Sequence, residues 1–131
     1  MTQHLGIQQL TADNFFHQAE EKYKKGDFRG ALIYLNQSLR FNPIDTAAYY
    51  NRGLVKRKLG DTQGAIADYN QALRLNPNNA ATYYNRGNAK RKLGDQQGSK
   101  TDLQKAAHLY HTQGNQADYQ DALEKLRNLP P

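Results

Sequence analysis

One 34-residue text is written twice in this chain. Residues 46–79 and 80–113 align without a gap and agree at 17 positions. Tyr49-Tyr50-Asn51-Arg52-Gly53 returns as Tyr83-Tyr84-Asn85-Arg86-Gly87, and Lys56-Arg57-Lys58-Leu59-Gly60-Asp61 returns as Lys90-Arg91-Lys92-Leu93-Gly94-Asp95. A fainter copy precedes both: Gly26-Asp27, Gly30-Ala31 and Pro43 stand one period before Gly60-Asp61, Gly64-Ala65 and Pro77. A fixed period of this length marks a repeat architecture, in which each unit buries its apolar face only by stacking on a neighbour. Such an architecture presents a surface; it rarely encloses a catalytic centre.

Composition narrows what that surface meets. Hydrophobic residues make up 37% of the chain, low for a compact globule but suited to a stack of helix pairs without a deep centre. At 131 residues, the expectation is one domain over 1–131. The formal net charge of +6 favours acidic partners. With no cysteine, disulfide frameworks, thiolate metal sites and thiol nucleophiles are excluded. No long apolar run is present, so neither a membrane span nor a signal peptide is expected, and the cytoplasm is the default compartment.

Each repeat reads as two helices. Asn42-Pro43 and Asn76-Pro77 bound the units, because the residue before proline is pushed out of helical geometry. Asp45 and Asn79 then stand as N-caps, with Thr11 in the equivalent place of the first repeat and Leu10 and Phe15 as a hydrophobic staple around it. The first helices are expected over about 12–25, 46–59 and 80–93, closed by Gly26, Gly60 and Gly94 in left-handed conformation. Asp27, Asp61 and Asp95 cap second helices over about 28–41, 62–75 and 96–112. The repeats thus fall at about 12–45, 46–79 and 80–113. His111 stands where Pro43 and Pro77 stood, Gly114-Asn115 breaks the chain, and Tyr119, Ala122, Leu126 and Leu129 form an apolar stripe. A capping helix over about 115–128 is expected to cover the end of the stack. Residues 1–9 and Pro130-Pro131 read as frayed.

These residues resemble the tetratricopeptide repeat family, whose hallmark is a 34-residue helix–turn–helix with small residues at helix crossings and proline at the end. The small positions are Ala19, Gly53 and Gly87 in the first helices; in the second they are Ala31, Ala65 and Ser99, then Ser38, Ala72 and Ala106. Phe15, Tyr49 and Tyr83 match the early aromatic, and Pro43 and Pro77 the closing proline. The wording of the repeats is similar to repeats frequent in photosynthetic bacteria. The resemblance implies an all-α fold, a right-handed solenoid of stacked antiparallel helix pairs with about seven helices. Two positions depart from the family. Arg52 and Arg86 replace a usual leucine, and Lys22, Lys56 and Lys90 a frequent tyrosine. Asp68 and Asp102 follow the arginines sixteen residues later, while the first repeat has Gln18 and Tyr34 instead. Partners that come and go together point to an Arg–Asp ion pair between helices.

In the family the first helices line a concave groove that holds a peptide or a partner helix. Helical spacing puts Tyr50, Asn51, Leu54, Arg57 and Lys58 on a face distinct from the one carrying Tyr49 and Gly53. Tyr84, Asn85, Asn88, Arg91 and Lys92 repeat that set, and the first repeat offers Phe16, His17, Glu20 and Tyr23. Carboxamides can hold a peptide backbone, tyrosines offer flat area, and the cations attract carboxylates. Cations near a helix C-terminus also interact favourably with its dipole, so a solvated helix end is the competing account, above all for Lys56 and Lys90.

The resulting expectation is a non-catalytic protein-interaction module, an adaptor that binds an extended or helical, acidic or polar segment of another protein. The alternatives are single-stranded nucleic acid along the basic, tyrosine-bearing face, which family precedent disfavours, and self-association into a small homo-oligomer. The clamp by which one subclass of the family grips chaperone C-termini is not expected. Asn51 fits one of its positions, but Glu20, Asn85, Phe16 and Ala81 depart at the others. His108 and His111 lie one helical turn apart without an evident third ligand, so no metal and no cofactor is expected. No phosphate loop or nucleophile motif is present.

Overall fold

The computed structural model describes residues 2–131, with side chains from Leu5 onward. Among the described residues there are seven α-helices and no strand: α1 Thr2–Lys24, α2 Phe28–Phe41, α3 Thr46–Lys58, α4 Thr62–Leu75, α5 Ala80–Lys92, α6 Gln96–Thr112 and α7 Gln116–Arg127. The chain divides into two compact units, Met1–Leu75 and Asn76–Pro131. In the first, α1 packs on α2, α2 on α3 and α3 on α4; in the second, α5 packs on α6 and α6 on α7.

Local chemistry sets the helix limits. The carboxylates of Asp27, Asp61 and Asp95 each accept the backbone N–H three residues on, at 2.9 Å. Asp45, Asn79 and Asn115 do the same for α3, α5 and α7. Each such bond satisfies one of the donors that a helix N-terminus leaves open. At the other end Gly60 takes φ +87°, and the N–H of Asp61 reaches back to the carbonyl of Lys56 at 2.8 Å. That closing geometry needs a left-handed residue, which glycine adopts without strain. α2, α4 and α6 accordingly span the residues the caps predict.

The first helix departs from expectation. It does not begin at residue 12 but runs from Thr2, so residues 2–9 are helical; the expectation of fraying at Met1 lies outside the described residues. Gln9 stands where later repeats have Pro43 and Pro77, and without that breaker the helix continues. Thr11 is therefore no N-cap; its hydroxyl donates to the Ile7 carbonyl within the helix at 2.8 Å. Nor is there a staple. Leu10 is 62% exposed, and Phe15 stacks instead on Tyr34 and Phe41.

The first unit is centred on Ala19, Ala31, Leu35, Leu39, Ala48 and Val55, with Phe16, Tyr23 and Tyr49 against them. The second is centred on Ala80, Ala106, Ala107, Leu109, Tyr110 and Ala122, with Tyr83, Tyr84, Tyr119 and Leu123 packed on. Every small position at a helix crossing is buried, Ala65 and Ala72 of α4 included. The reason is plainest at Gly53. A Cβ there would lie 2.5 Å from Cε1 of Tyr69, a ring fully out of solvent. At Gly87 the nearest atom would be Cγ of Leu103, at 3.0 Å.

Polar groups tie the same helices together. Arg52 donates from Nε and Nη2 to the two carboxylate oxygens of Asp68, both at 2.8 Å, and from Nη1 to Oδ1 of Asn36 on α2 at 3.1 Å. Its guanidinium also lies over the ring of Tyr49, whose hydroxyl donates to the Pro43 carbonyl. Bonding to Asp68 holds the Arg52 guanidinium above its ordinary pKa, against the opposing effect of burial. In the second unit Arg86 grips Asp102 in the same fork, lies over Tyr83, and Tyr83 donates to the Pro77 carbonyl. Lys56 and Lys90 are not solvated helix ends. Each places Nζ 3.1 Å from the same aspartate, so every buried carboxylate meets two cations. In the first repeat Lys22 has no such aspartate across from it and pairs with Asp27.

Candidate functional site

Between α1 and α3 lies a cavity of about 170 Å³, lined by Ala19, Glu20, Tyr23 and Lys24 of α1, Leu35 of α2, and Asn51, Leu54 and Val55 of α3. Its floor is apolar, and its polar groups are two side chains of opposite charge, one carboxamide and a phenol. Glu20 lies 3.2 Å from Nδ1 of His17, so its carboxylate is already engaged on one side.

Of the residues singled out from the sequence, Ala19, Glu20, Tyr23, Asn51 and Leu54 line this cavity and the others lie off it. Phe16 packs against the first core and meets His17 edge-on. Tyr50 is half-buried, its ring 6.1 Å from that of Tyr69. Arg57 is half-buried as well, close enough to Tyr69 for its charge to oppose the upward shift that burial imposes on the phenol. Lys58 is exposed, with Nζ 5.9 Å from the Phe28 ring centroid.

In the second unit Tyr84 meets Tyr110 edge-on at 6.5 Å, and Asn85 turns its amide to the Ala81 carbonyl of its own helix at 2.9 Å. Asn88 has a buried side-chain oxygen without a hydrogen-bond partner. Arg91 is half-buried and Lys92 exposed. Among the described residues no three His, Asp or Glu side chains gather as a metal-holding group, and no helix is long and apolar enough to cross a membrane.

Sequence reasoning missed Lys24, Leu35 and Val55 as cavity residues, and the pairing of Lys56 and Lys90 with the aspartates. Signals for both existed. Lys56 follows Arg52 by four residues, which puts both cations on one helix face toward Asp68. Leu35 stands one period before Tyr69, and so large a difference at a core position marks a local change of packing.

Residues 53–94 match a family model described as TPR repeat, and residues 80–109 match one described as tetratricopeptide repeat. Residues 53–109 carry tetratricopeptide repeat sequence. Solved structures superpose over nearly the whole chain. The first TPR of Spaghetti (RPAP3), bound to the HSP90 peptide SRMEEVD, is 21% identical, with 92% of this chain and 91% of that one covered at a TM-score of 0.83. PcrH in complex with the chaperone binding region of PopD is 17% identical, covering 89% of each chain at a TM-score of 0.85. The Arabidopsis OM64 TPR domain is 19% identical, covering 92% of this chain and 97% of that one, with a TM-score of 0.81. No curated protein matches the chain. At these identities the likeness is one of fold.

Proposed function

We propose that residues 1–131 act as one non-catalytic protein-interaction domain, a cytoplasmic adaptor that binds an acidic or polar segment of a partner protein along its first helices. The observation that carries this reading is the recurrence of Tyr50, Asn51, Arg57 and Lys58 as Tyr84, Asn85, Arg91 and Lys92, on helix faces that the repeats do not need for their small-residue crossings. Such a set offers flat area, backbone-holding amides and positive charge in each repeat. The segments named in the RPAP3 and PcrH structures are likewise parts of proteins. Only that class of partner is carried over, since the clamp positions here hold Glu20, Phe16 and Ala81 in place of the expected amide and lysines.

The test is selection from a displayed library of random peptides, followed by anisotropy titrations of the winners. Acid-rich peptides should be enriched and bind at about micromolar strength, near −8 kcal/mol. Added salt should weaken them, because the cations stand near solvent. Arg57→Glu with Arg91→Glu should reduce binding more than tenfold with the melting temperature nearly unchanged, about the effect of reversing two attractive charges. Peptides that bind the double variant as well as wild type would move the site elsewhere. Tight, salt-sensitive binding of single-stranded RNA, lost in the same variant, would instead support the nucleic-acid alternative.

A further inference from the structure

The Arg52–Asp68 fork sits where the second repeat meets the first. Arg52 reaches back to Asn36 on α2 at 3.1 Å, and Asp68 is 3% exposed. One period earlier Gln18, Lys22 and Tyr34 hold the places of Arg52, Lys56 and Asp68, on the side of α1 and α2 opposite to α3. Here the places lie open: Gln18 is exposed, and Lys22 and Tyr34 are half-buried. Phe15 lies between the rings of Tyr34 and Phe41, at centroid separations of 6.1 and 5.9 Å and within 27° of parallel. A column of three aromatic rings thus crosses the two helices. Phe41 is 40% exposed, and Ile7, about two turns before Phe15 on the same side of α1, is 64% exposed. Beside the column lies a shallow recess of about 240 Å³, lined by His17, Gln18, Glu21, Lys22 and Tyr34. A helix that closes a stack is polar outside, as α7 is with Gln116, Gln120, Asp121, Glu124 and Arg127 exposed. Exposed rings and aliphatic side chains on one face mark a contact instead.

We infer that this face of α1 and α2 joins two copies of the chain in a two-fold, isologous dimer. The chemistry of the exchanged residues selects a second copy as the occupant. Near a two-fold axis each side chain meets its own counterpart. Arginine only donates hydrogen bonds and aspartate only accepts them, so the set of the second repeat would oppose like charges there. Gln18 and Tyr34 are neutral, and a carboxamide and a phenol both donate and accept, so each can bond its own copy. Beside them Glu21 and Lys22 carry opposite signs, which lets Glu21 of one chain meet Lys22 of the other. Their contacts within the chain, to Lys24 and Asp27, are 3.7 Å long and exposed, and can yield to a closer pair. The polar outside of α7 offers the rings no complement, which favours a closed pair over an open chain. With 23 and 14 residues, α1 and α2 run about 35 and 21 Å and side by side present about 560 Å² in outline. That is close to the roughly 600 Å² per partner at the lower end of specific interfaces, so the dimer is reversible. It lies apart from the proposed peptide surface, and either reading can stand without the other.

Sedimentation equilibrium of the full chain, from about 5 to about 500 μM, tests this. Wild type should pass from the 14.9 kDa of one chain to twice that mass, with a Kd of about 10–100 μM. Gln18→Glu and Gln18→Lys change an exposed position and should fold as wild type does. Each alone opposes like charges near the axis and should weaken the dimer by about tenfold or more. A one-to-one mixture of the two should recover the dimer, because each then meets the opposite sign. Gln18→Arg with Tyr34→Asp transplants the fork of the second repeat beside Lys22 and should be monomeric, with circular dichroism reporting its helix content. Should that variant not fold, the two single substitutions decide alone. A wild type that stays monomeric throughout the range overturns the inference. So does a dimer that both Gln18 variants leave intact, or a mixture no stronger than its components. Masses that keep rising beyond two chains would show an open assembly and overturn the closed pair as well.

Discussion

Removing the carboxylate of Asp68 should be among the most damaging single changes in the first unit. Its side chain is 4% exposed and receives the fork of Arg52 and the ammonium of Lys56, whose own side chains are 20% and 21% exposed. Asp68→Leu leaves two cations facing each other in a nearly dry site. Breaking a buried pair from one side costs about 3–5 kcal/mol, a large share of the roughly 5–15 kcal/mol by which a domain is stable. Arg52→Leu is milder, about 2 kcal/mol, because Lys56 still serves the aspartate. With both leucines in place the apolar pair can pack, and Lys56 can extend its amine to water. The double variant should therefore lose about 2 kcal/mol less than the sum of the singles. Urea titration followed by circular dichroism measures this without adding salt. The Arg86–Asp102 pair has the same geometry and should return the same coupling, an internal replicate. Additivity within about 0.5 kcal/mol at both sites would show that the forks are not energetically coupled.

Two further outcomes follow from named contacts. Tyr69 is wholly buried, its hydroxyl lacks a hydrogen-bond partner, and burial pushes its pKa upward. Tyr69→Phe should be neutral or stabilising by up to about 1 kcal/mol at neutral pH. Above about pH 10 the unfolded chain releases this proton while the folded one keeps it, so wild type should lose up to about 1.4 kcal/mol per pH unit relative to Tyr69→Phe. Parallel stability curves for the two proteins from pH 8 to 11 would contradict the burial argument. Deleting residues 115–131 removes Ala122, Tyr119 and Leu123 from the second core. The loss should be about 3 kcal/mol, two large apolar side chains at roughly 1.5 each, with aggregation that light scattering detects. A truncated chain that melts and scatters like the full one would refute the capping role of α7.

The sequence by itself determined whatever depends on short-range chemistry repeated in register. Asp27, Asp61 and Asp95 fix helix starts because a carboxylate three residues before an open N–H needs no distant partner. Gly60 and its equivalents fix helix ends by their φ alone. The Arg52–Asp68 fork was legible because the pair is absent as a pair from the first repeat, a covariation visible inside one chain. The start of α1 was not: Thr11 looks like a cap, and only the helical path of residues 2–11, unbroken at Gln9, makes it an interior residue. The cavity between α1 and α3 was decided by tertiary structure for a related reason. Asn51 and Leu54 follow from helix periodicity, but empty volume depends on how far Leu35 of a different helix reaches between them and Ala19. Periodicity gives the face on which a side chain lies; how much of the space between two helices its partner leaves unfilled is a property of the packed set.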